Sequence, residues 1–117
     1  MAVQNPGEPF TRIDVREAQE KLEKGEVALV DVREPGEFAG GHLPGAQLLP
    51  VNSVPARKEE LPQGKPILFV CATGQRSALA AEFAAAFGHT ELFNLEGGTV
   101  AWREAGLPIE TPAVEQP

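Results

Sequence analysis

The chain has 117 residues, a mass of 12.5 kDa and 42% hydrophobic content, enough for the core of one ordinary domain. Lys and Arg total 10 against 17 Asp and Glu, and the resulting net charge of −7 repels a phosphate backbone and argues against nucleic-acid binding. A single cysteine excludes an intramolecular disulfide, a CxxC zinc site and dithiol redox chemistry. No run reaches the ~18 consecutive apolar residues of a membrane span, and the amino end has no secretory pattern, so a cytoplasmic domain without a membrane role is expected.

Residues 1–9 are weakly apolar and are expected to form a flexible segment. Phe10 to Ile13 is a candidate first strand. Asp14 followed by Glu17 has the spacing of a capping box, with Val15, Ala18 and Leu22 on one helical face and Gly25 as the stop. Val27 to Val30 is apolar throughout, as a strand buried on both faces should be, and so is Ile67 to Val70. Ala46 to Leu49 and Leu92 to Leu95 are further strand candidates. Ser53 is placed to cap a short helix over Ala56 to Leu61. Ser77 opens a helix with Leu79, Phe83 and Phe87 at four-residue spacing, closed by Gly88. A last helix, Thr99 to Ala105, carries Trp102 and ends at Gly106. Pro108 to Pro117 is Pro-rich, and residues 110–117 are expected to be a flexible tail, leaving 10–109 as the domain. Strands alternating with helices predict parallel crossovers, hence a three-layer α/β/α sandwich around a mainly parallel sheet of four to five strands.

In such a sheet ligands bind beyond the carboxyl ends of the strands. Two segments leave such ends with unusual chemistry: Asp31-Val32-Arg33-Glu34-Pro35, and Cys71-Ala72-Thr73-Gly74-Gln75-Arg76-Ser77. In the second, a loop curling around the sulfur would point successive N–H groups inward as an anion-binding nest, with a helix N-terminus and the Arg76 guanidinium adding positive charge. A cysteine so placed falls from a pKa of ~8.5 to between ~3.5 and ~7.5. Gly74 suits a tight loop that a Cβ would resist. Taken alone, a cysteine after a buried strand is more often an inert small hydrophobe; the adjoining Gly, Arg and helix start make Cys71 a candidate nucleophile.

These residues resemble the single-domain rhodaneses, a family of sulfurtransferases. The resemblance is carried by Asp31-Val32-Arg33-Glu34-Pro35-Gly36-Glu37-Phe38, by Gly41-His42-Leu43-Pro44-Gly45-Ala46, by the loop from Cys71 to Ser77, and by Leu95-Glu96-Gly97-Gly98 with Ala101-Trp102 and Ala105-Gly106-Leu107-Pro108. They occur in the family's order over roughly Thr11 to Ile109. The resemblance implies that Cys71 takes a sulfane sulfur from a small anionic donor such as thiosulfate, holds it as a persulfide, and passes it to cyanide or a thiol, including a protein thiol. It implies Ala72, Thr73, Gly74, Gln75, Arg76 and Ser77 as the binding loop, and no metal or organic cofactor. Thiosulfate-type loops often carry basic residues just after the cysteine, where this chain has Ala72 and Thr73, so thiosulfate and mercaptopyruvate both stay open as donors.

Asp31 and Arg33 are read as an ion pair bracing the edge of the site, and His42 as a structural histidine in the turn before Ala46. Arg76 is read as an electrostatic clamp on the donor, with bracing of the loop through Asp31 or Glu37 as its alternative. Trp102 and His89 are given no ligand role, and Glu34, Glu37 and Glu96 form no convincing acid–base pair. A cysteine phosphatase or arsenate reductase is a competing reading, but its signature places five residues between Cys and Arg. Here there are four, Ala72 to Gln75, and Val70 stands where many phosphatases have a histidine. A rhodanese-like interaction module or persulfide carrier is the other alternative; non-catalytic modules commonly lose the cysteine, which is present here.

Overall fold

A computed structural model describes residues 2–111. The elements, in chain order, are β1 (Ala2–Val3), β2 (Thr11–Ile13), α1 (Val15–Glu23), β3 (Ala28–Asp31), α2 (Pro35–Ala39), β4 (Gln47–Leu48), two 3₁₀ turns (Val51–Ser53 and Lys58–Glu60), β5 (Ile67–Val70), α3 (Gln75–Ala86), β6 (Leu92–Leu95) and α4 (Gly98–Glu104). They build a six-stranded sheet in the order β1-β2-β6-β5-β3-β4. Five strands are parallel, and β1 adds an antiparallel edge.

The apolar runs explain the layering. All four residues of β5 are buried, and alternation sends Ile67 and Phe69 to one face, Leu68 and Val70 to the other. The first face packs against Ala80, Ala81 and Ala84 of α3 and against Val51, Val54 and Leu61 around the 3₁₀ turns. The second packs against Ala18 of α1 and Trp102 of α4. The result is the three-layer α/β/α sandwich with a mainly parallel sheet.

Several local expectations are corrected. The sheet gains its sixth strand because Ala2 and Val3 pair with Ile13 and Arg12, within the segment expected to be flexible. At the other end Trp102 Nε1 donates to the Pro108 carbonyl at 2.7 Å, and His42 and Glu110 exchange backbone hydrogen bonds of 2.8 Å. The expected fraying of 112–117 falls outside the described residues. Ser53 caps no helix: its hydroxyl donates back to the Pro50 carbonyl at 2.7 Å, and the segment forms two short 3₁₀ turns. Helix α2 went unpredicted, although Pro35 at its first position and the Glu34 N–H donating to Glu37 Oε1 at 3.0 Å are ordinary helix-start signals.

The largest correction concerns the face of α3. The helix starts at Gln75, with Gly74 as N-cap, and buries Ser77, Ala80, Ala81 and Ala84. Of the three apolar residues read at four-residue spacing, Phe83 is half-buried against the core, but Leu79 and Phe87 are 43% and 37% exposed. Ser77 must lie against Cys71, and that contact fixes the rotation of the helix; small side chains at the following inward positions let it sit close on the sheet. Leu79→Ala is therefore expected to change stability by less than about 0.5 kcal/mol, as an exposed substitution does. Ala81→Leu is expected to cost about 1–3 kcal/mol by overpacking. Urea denaturation of the two variants checks this, and the reverse order would restore the predicted face.

Candidate active site

Asp31 and Val70 are register partners at the carboxyl ends of β3 and β5, so the two segments singled out above leave the sheet side by side. Cys71 follows Val70 directly and is 1% exposed. Its Sγ accepts the Gly74 N–H at 3.1 Å and the Ser77 hydroxyl at 3.3 Å. Gly74 makes this turn at φ 116°, which a side chain would resist.

The loop's carbonyls are held elsewhere. Cys71 O accepts the Thr99 N–H at 2.9 Å and the Thr99 hydroxyl at 3.1 Å, and Ala72 O accepts the Val100 N–H at 3.1 Å. Gly74 O accepts Asn94 Nδ2 at 3.2 Å and the Ala78 N–H at 3.3 Å. Gly98 makes the α4 contact possible: a Cβ there would lie 2.4 Å from Cys71 O and 2.5 Å from Ala72 O. With the carbonyls tied outward, the N–H groups are left facing the sulfur. Burial pushes the Cys71 thiol up, but the Ser77 hydroxyl and the N–H groups of Ser77, Gly74 and Thr73 outweigh it, and the pKa is lowered from the ordinary value.

Arg76 does not present a free fork. Its Nη1 and Nη2 donate to Glu37 Oε1 and Oε2 at 2.7 and 2.9 Å, joining the start of α3 to α2. This bidentate pair and the Glu34 N–H hold the Glu37 carboxyl down to about 2. Thr73 and Gln75 are exposed at the rim, where the Thr73 hydroxyl donates to Gln75 Oε1.

The sequence profile of the rhodanese-like domain family matches residues 14–105, most of the chain and the whole of this site. The chain belongs to the rhodanese-like domain family. Among its relatives is a protein named sulfurtransferase from Allochromatium vinosum, 38% identical over 95 residues that cover 81% of this chain and 89% of the relative. A thiosulfate sulfurtransferase of Vibrio cholerae is 36% identical over 101 residues, 86% of this chain and 95% of that one. The crystal structure of a rhodanese-like domain protein from Staphylococcus aureus superposes with a TM-score of 0.76 at 34% identity, covering 87% of this chain and 98% of that one.

Asp31, Arg33 and His42 of this rhodanese-like domain make no hydrogen bond to the sulfur. Arg33 Nε and Nη2 grip the Asp31 carboxylate at 2.8–3.1 Å, and Nη2 also donates to Gly41 O at 2.8 Å. Both side chains are buried, and among the described residues no hydrogen bond joins them to the Cys71 loop. His42 Nδ1 lies 2.9 Å from the Phe38 carbonyl, which only accepts, so Nδ1 carries the hydrogen; its ring stacks on Phe38 at 3.6 Å. No group of three or more His, Cys, Asp or Glu among the described residues is placed to hold a metal ion.

Sequence reasoning gave no role to Asn94, Gly98, Thr99 and Val100, which hold the loop from behind. The available signals were a polar residue in an otherwise apolar strand and a Gly-Gly pair just before a helix. The Glu37–Arg76 pair makes a pH-dependent contribution. A carboxyl lowered in the folded state stabilises fully above its unfolded value of ~4.3, and loses that contribution as pH falls through the folded value. Glu37→Gln is thus expected to be less stable than wild type at pH 7, with the gap closing between about pH 4.5 and pH 2. Thermal melts across this range check it; a pH-independent gap would contradict the pairing.

Proposed function

We propose that the protein is a sulfurtransferase that carries a sulfane sulfur as a persulfide on Cys71. The carrying observation is the single cysteine held under a loop whose N–H groups face its sulfur and whose carbonyls are bonded elsewhere. The names of its relatives point the same way.

The Cys71 thiolate attacks the outer sulfur of thiosulfate. The new S–S bond forms as the old one breaks, and sulfite leaves with the electron pair. The terminal persulfide sulfur is anionic, and the N–H nest that stabilises the thiolate stabilises it too. Cyanide, or a thiolate, then attacks that outer sulfur and leaves with it, returning Cys71 as thiolate. No net proton is required in the cyanide reaction. A small anionic donor and a cyanide or thiol acceptor, including a protein thiol in a cytoplasmic setting, fit this chemistry.

Phosphoryl chemistry fits less well. A tetrahedral phosphate needs an arginine fork, and that of Arg76 is filled by the Glu37 carboxylate. The loop also has only four residues between Cys71 and Arg76.

Incubation with thiosulfate is expected to raise the intact mass by one sulfur atom, reversed by cyanide or dithiothreitol. Cys71→Ser is expected to stay folded, gain no sulfur and lose turnover, because an alkoxide is a poor sulfane acceptor at neutral pH. Transfer retained by the serine variant, or hydrolysis of an aryl phosphate by wild type as fast as sulfur transfer, would overturn the reading.

A further inference from the structure

Strand β6 reads Leu92-Phe93-Asn94-Leu95, and Asn94 is its one polar residue. It is fully buried, in register with Phe69 of β5, on the sheet face that packs against α3. Asn is disfavoured in strands, and a buried amide is costly to desolvate unless its hydrogens are bonded. Here Nδ2 donates to the Gly74 carbonyl at 3.2 Å and to Glu96 Oε2 at 2.5 Å. Two oxygen acceptors around one nitrogen fix which way the amide faces. Oδ1 has no protein partner among the described residues, so the side chain serves by donating.

Glu96 is anchored in turn. Arg12 Nη1 donates to its two carboxylate oxygens at 3.2 and 3.0 Å, and Glu8 holds the same guanidinium at 2.9 and 2.5 Å. A continuous line of hydrogen bonds therefore runs from β2 through Arg12, Glu96 and Asn94 to the carbonyl of Gly74.

We propose that Asn94 is a positioning residue for the sulfur site: by holding the Gly74 carbonyl it sets the turn that brings the Gly74 N–H to Cys71 Sγ. The sulfurtransferase reading supplies only what the sulfur is used for. Gly74 gives its N–H to Sγ at 3.1 Å on one side and its carbonyl to Asn94 on the other. No peptide bond among the described residues is cis, so the Gln75 N–H lies anti to that carbonyl and points away from Asn94. A glycine has little intrinsic resistance to rotation. Without Asn94 the Gly74 carbonyl keeps only the Ala78 N–H at 3.3 Å, so the turn that sets the Gly74 N–H on the sulfur is held by one tether where there were two. Asn94 makes no hydrogen bond to the sulfur and acts through Gly74.

The test uses Asn94→Leu, similar in size without a donor, and Asn94→Ala, which adds no methyl groups against Phe69. With one cysteine and no tyrosine in the chain, ultraviolet thiolate absorbance against pH reports Cys71 alone. Either variant is expected to raise the Cys71 pKa by about one unit. Persulfide formation from thiosulfate at neutral pH is expected to fall about tenfold, the scale of one lost hydrogen bond. A purely structural Asn94 would lower the melting temperature and leave the titration at its wild-type position; that result in whichever variant folds overturns the proposal. Wild type that takes up no sulfur, beside variants whose titration shifts, would fail the sulfurtransferase reading and leave the positioning role standing. Sulfur uptake by wild type with no shift in the variants would fail the positioning role alone.

Discussion

The carbonyl oxygens of Cys71, Ala72 and Gly74 are bonded to donors outside the loop, and the rest of the site depends on that tethering. A peptide loop presents N–H and C=O dipoles in equal number, and it favours an anion only when the carbonyls are turned away. Thr99 and Val100 hold two of them from the start of α4, and Asn94 and Ala78 hold the third. Each tether comes from an element placed by the parallel sheet: α4 follows β6, Asn94 lies within β6, and α3 follows the loop itself. The sandwich therefore acts on Cys71 through backbone N–H groups and the Ser77 hydroxyl, and among the described residues no charged side chain hydrogen-bonds the sulfur.

This arrangement resolves a difficulty posed by the composition. A chain with net charge −7 is a poor attractor of anions at long range, and the one cation in the loop, Arg76, is bound to Glu37. Oriented N–H groups and the start of α3 then supply short-ranged positive potential at the sulfur, to which the Arg76 guanidinium adds a Coulombic attraction. Arg76 contributes mainly by fixing that start against α2. The same demand sets the rotation of α3, since the Ser77 hydroxyl has to reach Sγ. Ala80, Ala81 and Ala84 follow inward, and Leu79 and Phe87 are left at the surface.

Much of this was legible in the sequence wherever the determining pattern was local. The fully apolar Ile67–Val70 run, the Asp14 and Glu17 spacing, and Cys71 followed by Gly74 and Arg76 each carry their meaning within a few residues. The four-residue spacing of Leu79, Phe83 and Phe87 misleads at α3 because the site sets the rotation of the helix, which leaves Phe83 against the core and the other two exposed. The tethers were illegible for a different reason. Arg76 meets Glu37 across 39 positions, Thr99 meets Cys71 across 28, and Asn94 meets Gly74 across 20. Only the topology of the sheet brings those pairs together. The ion pair of Asp31 and Arg33, two residues apart, was correspondingly easy to read.

The central claim is that a cradle of backbone N–H groups and the Ser77 hydroxyl outweighs burial and favours the Cys71 thiolate. Titration of the wild-type thiolate by ultraviolet absorbance tests it most directly, because the chain has one cysteine and no tyrosine to obscure the signal. The expected result is a single transition below the ordinary thiol value of ~8.5. A transition at or above that value would mean that burial prevails over the N–H groups, and would contradict the account.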